Sequence, residues 1–228
     1  MHSAILGSLV FTAILLSPRC LTAEDGANLI RNPGFEDAPD APASYALFTA
    51  PDSKDASCRF TITSDASHSG KQAALLQAND FARFSLGPVG NYAVAAGDLY
   101  RVEVWVKAGP DFQTLPDSPG VVLRLNLSAG SPAKAATAGL TFVYLNNTVS
   151  QAGPPAYAPL PVLPPALTDW THIEAVVKVP DGVDHMVPGL FFWKAKGSLY
   201  ADDFSFQKVD PSTPLTTVAA TPPAPASP

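Results

Sequence analysis

The chain has 228 residues, of which 15% are charged, and its net charge is −6. That balance, with no basic run to neutralise phosphates, excludes a nucleic-acid partner, and a membrane surface finds no basic amphipathic helix to hold. Neutral or weakly polar partners suit the composition better.

Taken from the N-terminus, Ala4 to Leu16 is an apolar run of about thirteen residues, too short to span a bilayer and typical of a signal-peptide core. Ser17, Pro18 and Arg19 break it, and "LTA" offers cleavage after Ala23. Residues 1–23 are therefore expected to be a signal peptide, and the protein to be secreted or to reside in the cell envelope, with no membrane insertion once the signal is removed. With Cys20 gone, Cys58 is the only thiol and no intrachain disulfide can form. Residues 24–208 are enough for one sizeable domain with its own core.

The mature chain opens with "NLIRNPGFED", Asn28 to Asp37. Asn32-Pro33-Gly34 is turn chemistry, since proline presets its own φ and glycine accepts values other residues resist. Phe35 is expected to point into a core. Glu36 directly behind it is either a solvated loop acid or a group that holds something.

From there the dominant signal is two-residue alternation bounded by turn residues, the mark of strands. In "LYRVEVWVKAG", Tyr100, Val102, Val104 and Val106 alternate with Arg101, Glu103, Trp105 and Lys107; "VVLRLNLS" sets Val121, Leu123, Leu125 and Leu127 against Val122, Arg124, Asn126 and Ser128. "FARFSLG", "GLTFVYL", "THIEAVVKVP", "GLFFWKA" and "SLYADDFSF" are further strands, and helical periodicity is hard to find. The class is all-β, and this strand spacing predicts a two-sheet antiparallel β-sandwich. Asn146 to Asp169, proline-rich and without alternation, reads as a surface excursion. Residues 209–228, rich in Pro, Thr and Ala, read as a disordered, extended tail.

Two features of these strands point to chemistry. Strict alternation in "YADDFSF" puts Asp202 on the face of Tyr200, Phe204 and Phe206, where a carboxylate needs an ion or hydrogen-bond donors such as turn amides. The faces opposite the apolar stripes gather Glu103, Trp105, Arg124 and Asn126, with Trp193 as a second aromatic and Tyr45 and Phe48 at one end of a groove. Sugars present flat C–H faces for aromatic stacking and hydroxyls for polar side chains, so this mixture suits a glycan. The alternative for each tryptophan is packing, and Trp170 reads that way. Asn126-Leu127-Ser128 and Asn146-Asn147-Thr148 are formal glycosylation sequons, and a glycan on Asn126 would block that groove.

"NLIRNPGFED", "SDASHSGKQAALL", "LYRVEVWVKAG", "DWTHIEAVVKVPDGV" and "GLFFWKAKGSLYADDFSF", in that order from Asn28 to Gln207, resemble the galactose-binding-like jelly-roll modules, most of all the carbohydrate-binding modules of families four, nine and twenty-two. The resemblance implies a jelly roll whose first and last strands lie close together, with a structural calcium between them. Its ligands would be the carbonyls of Gly34, His68 and Lys71, the carboxylate of Glu36, and Asp202 through side chain and carbonyl, a hard-oxygen set of the kind calcium takes.

Catalytic motifs are missing. His2, His68, His172 and His185 show no metal-ligand spacing, and there is no nucleophile elbow and no phosphate loop. The expectation is a secreted, monomeric, non-catalytic module that binds a polysaccharide or surface glycan. The rivals are a structural cell-envelope protein using the sandwich for protein contacts, and a glycan-active enzyme such as a lyase.

Overall fold

The computed structural model describes residues 26–37, 44–115, 118, 120–128, 141–144 and 167–216. The expected signal peptide, the excursion from Asn146 as far as residue 166, and the chain beyond Thr216 lie outside them. Among the described residues ten strands form: β1 (Tyr45–Thr49), β2 (Arg59–Thr63), β3 (Ala73–Pro88), β4 (Tyr92–Ala93), β5 (Leu99–Ala108), β6 (Gln113–Thr114), β7 (Gly120–Ser128), β8 (Thr141–Tyr144), β9 (Thr171–Lys178) and β10 (His185–Val209). Every pairing is antiparallel. A short 3₁₀ turn, Pro51–Ala56, follows β1.

Two strands organise the rest. In their first pairing, Ala74–Ala78 of β3 lies against Gly197–Ala201 of β10, with β2 on one side and β5 then β9 on the other. In their second, Arg83–Leu86 lies against Leu190–Trp193, with β1 on one side and β7 then β8 on the other. We call these the first and second sheets. β3 and β10 pass from one to the other through register shifts at Ala195, where Lys194 has φ 47° and Gly197 φ 90°. A Cβ on Gly197 would lie 2.2 Å from the Asp111 carbonyl, so only glycine makes that corner. Bulges are how sandwich strands change sheets. "GLFFWKA" and "SLYADDFSF", separate in the sequence pattern, are therefore one bent strand.

The core fills the space between the sheets. Tyr100, Val102, Val104 and Val106 of β5, Ile173, Ala175 and Val177 of β9, and Phe204 and Phe206 of β10 meet Leu123, Leu125 and Leu127 of β7, Phe84 and Leu86 of β3, and Leu190 and Phe192 of β10. This is the pattern alternation predicts, with each apolar stripe turned inward. Truncating a fully buried ring such as Phe192 or Phe204 is expected to cost about 3–5 kcal/mol.

The alternation fails at one place. Asp203 adopts φ 49° and the β10–β5 register slips between Asp202 and Ser205, leaving Asp202 opposite Trp105. Asp202 thus leaves the Phe204 and Phe206 face on which strict alternation sets it, yet it is fully buried, because the N-terminal segment and residues 68–69 cover it. That segment runs antiparallel beside β10, with Gly26 N donating to Lys208 O, Leu29 N to Phe206 O and Phe204 N to Pro33 O. At the other margin, Val176 N donates to Thr216 Oγ1 and Thr216 N to Val176 O, so the fold reaches past Lys208 to Thr216 and covers part of the edge of β9.

Candidate functional site

The outer face of the second sheet is a groove of about 440 Å³, lined by Ala46 and Phe48 of β1, Ser85 and Gly87 of β3, Val187 and Gly189 of β10, and Arg124 and Asn126 of β7. Its size suits a small ligand or part of a chain-like one. Gly87 and Gly189 leave a floor of bare backbone. Phe48 stands at one side, 59% exposed, with a ring face open to a ligand in the groove. On the other side the Arg124 guanidinium carbon lies 4.3 Å from the centre of the Phe191 ring, a cation–π contact. Beside it, Asn126 Oδ1 is a buried acceptor with no hydrogen-bond partner among the described residues. Such an oxygen is costly unless a hydroxyl or amide comes to it.

Arg124, Asn126 and Phe48 thus share one groove, as the sequence leads one to expect. Tyr45 does not join them: β1 alternates, so Phe48 faces out while Tyr45 turns into the core, where its hydroxyl donates to Asn32 O at 3.2 Å and burial raises its pKa far above the ordinary phenol value. Trp193 lies on the groove's sheet but outside its lining, its ring 5.3 Å from Phe191 and capped by Arg83 at 5.5 Å. Arg83 is itself held by Asp52, whose carboxyl it keeps below the ordinary value.

Glu103 and Trp105 are on the other sheet. β5 and β7 share one sequence pattern but join different sheets, so the single face expected to hold Glu103, Trp105, Arg124 and Asn126 does not exist. Trp105 is also closed to stacking. His68 lies 3.8 Å from it on one side, nearly parallel at 12°, and His172 lies 4.8 Å from it at 21°, while Trp170 meets His68 edge-on.

The proposed calcium ligands do come together. Glu36 Oε1 accepts from Lys71 N at 2.6 Å and Gln72 N at 2.9 Å; Asp202 accepts from His68 N, Ser69 N and Asp203 N. Gly34 abuts Glu36 and both aspartates, and a Cβ on Gly70 (φ 58°) would overlap Glu36 Oε1 at 2.2 Å. The backbone entering this clasp is strained, with Asn32 and Phe35 both at positive φ. The groups facing the acids differ from expectation: amides of His68 and Lys71 meet the carboxylates where carbonyls were expected. Asp203, which the sequence reading passed over, brings a third carboxylate by way of the bulge and binds Ser69 Oγ at 2.6 Å and His68 Nδ1 at 2.7 Å. Desolvation raises the pKa of Asp202, the three amides pull it back and Asp203 adds to the rise. Glu36, Asp202 and Asp203 are the hard donors a calcium ion takes, but among the described residues no three His, Asp or Glu ligand atoms of the clasp lie within 4.8 Å of one another, so carbonyls would have to complete its shell.

No protein-family model and no curated protein matches the chain. Solved structures match by shape. Arabinose-bound MgGH51 α-L-arabinofuranosidase aligns with 82% of this chain at 12% identity and TM-score 0.51, but this chain spans only 27% of that enzyme. The xylan-binding domain from CBM 22 aligns over 81% of this chain and 97% of its own at 13% identity and TM-score 0.49. TmCBM61, solved with β-1,4-galactotriose, aligns over 80% and 99% at 19% identity and TM-score 0.44. Modules of families 4 and 16 also match. At such identities the likeness shows the fold alone, and that fold is an all-β jelly-roll sandwich.

Proposed function

We propose that the protein is a secreted, non-catalytic carbohydrate-binding module that takes a polysaccharide or glycan chain into the groove of the second sheet. The observation that carries this reading is the pairing of an exposed ring, Phe48, with the amide side chain of Asn126 across a backbone floor. A sugar ring offers a C–H face to the first and a hydroxyl to the second. Arg124 adds a donor fork for ring or hydroxyl oxygens. A calcium ion in the Glu36–Asp202–Asp203 clasp, away from the groove, would have its shell completed by backbone carbonyls and act on stability more than on affinity.

The test is affinity electrophoresis across xylans, β-glucans, mannans and galactans. Gly189→Val suits it, because the added Cβ would sit 3.5 Å from Leu86 O, an ordinary contact, while its methyls fill the floor. Retention of the wild type on at least one glycan, lost in Gly189→Val, supports the reading. No retention on any of them, or equal retention of the variant, overturns it.

A further inference from the structure

A cluster of three ligand-bearing side chains lies on the outer face of the first sheet, outside the lining of the groove. Glu103 and Glu174 are direct cross-strand partners on β5 and β9, and His172 is two residues before Glu174 on the same face. One ligand atom from each of the three lies within 4.8 Å of the other two. His172 Nε2 is 3.2 Å from Glu103 Oε2. Two glutamates directly opposite one another repel unless a cation stands between them. Arg101 Nε forms an ion pair with Glu174 Oε1 at 3.6 Å, too long for a hydrogen bond and partly exposed, so it offsets that repulsion only weakly.

We propose that Glu103, His172 and Glu174 form a three-ligand site for a borderline divalent metal of the zinc class. One imidazole nitrogen and two carboxylate oxygens suit such an ion better than calcium, which takes oxygens alone, and the remaining positions fall to water. The approach is open, since the three side chains are 23–40% exposed. Metal–ligand distances of about 2.0–2.2 Å are shorter than this triangle allows as it stands, so an ion would have to draw the ligand side chains inward.

What raises the group above a chance surface cluster is the support behind its imidazole. The His172 ring is stacked on Trp105, Trp105 is stacked on His68, and His68 Nδ1 is fixed by Asp203 at 2.7 Å. A ligand whose ring plane is set by such a column loses little freedom on binding, which is the usual task of the shell behind a metal site. The spacing of the histidines conceals the site because two of its three ligands are glutamates, one of them brought from another strand by sheet register.

The experiment is calorimetric titration of Zn²⁺ into chelator-treated, full-length protein with excess Ca²⁺ present, so that the clasp reading stands or falls separately. One saturable site per chain is expected, weakened at least about tenfold in Glu174→Gln and in His172→Asn, and unchanged in His185→Asn. Cu²⁺ should quench tryptophan fluorescence of the wild type and not of His172→Asn, because Trp105 touches the imidazole. No saturable Zn²⁺ binding, or binding that Glu174→Gln leaves untouched in a protein with wild-type circular dichroism, overturns the assignment.

Discussion

The two outer faces of the sandwich start from the same sequence grammar and finish as opposites. β5 and β7 each set a polar row behind an apolar stripe, but the row on β7 opens into a groove with glycines on its floor, whereas the row on β5 is closed by ring upon ring. Aromatic content alone would favour the first sheet. Access decides otherwise, since a ring with a neighbour on each face has no face left for a sugar, while Phe48 has one to offer.

The sharpest way to break this contrast is to exchange the injuries. Gly189→Val should abolish glycan retention, and Trp105→Ala should leave it intact while lowering the melting temperature; loss in the second and not the first would invert the assignment of faces. Arg124→Ala should weaken binding by about 1.5–3 kcal/mol, as removal of a charged hydrogen-bonding group does, and Phe48→Ala by about 0.5–1.5 kcal/mol, both read from retardation at graded glycan concentration.

The clasp has its own signature in pH. The folded-state pKa of Asp202 lies above the ordinary carboxylate value, so between the two the unfolded chain releases its proton first and metal-free stability falls as pH rises through that window. Ca²⁺ should reverse the trend at neutral pH, raising the melting temperature by about 2–4 °C for each kcal/mol of binding, and Asp202→Asn should remove that rise. A melting temperature that ignores chelation at neutral pH would count against the ion. Gly70→Ala should cost about 1 kcal/mol or more in chemical unfolding, from a positive φ and the clash with Glu36.

Much of this was legible beforehand for a local reason. Alternation depends on neighbours two apart, so the buried rows of β5, β7 and β9 can be read directly. Glu36 and Asp202 each stand out on their own, as an acid behind a turn and an acid in an apolar strand, and only the family resemblance pairs them. What the pattern cannot carry is partnership. Whether Arg124 sits beside Trp105 depends on which sheet β7 joins, and that is set by bulges near Lys194 and Asp203, where single residues take left-handed backbone without glycine's signature. The same slip turned Asp202 to the other face and hid Asp203, whose role appears only once the register is known.

β3 and β10 carry one further implication. Because each belongs to both sheets, the sandwich has no two leaves that can separate; prising the sheets apart would mean pulling single continuous strands from both cores at once. The groove floor at Gly189 and the clasp at Asp202 lie on the same strand, so the slowest-exchanging amides beneath both should open together, with one free energy of opening for the whole domain.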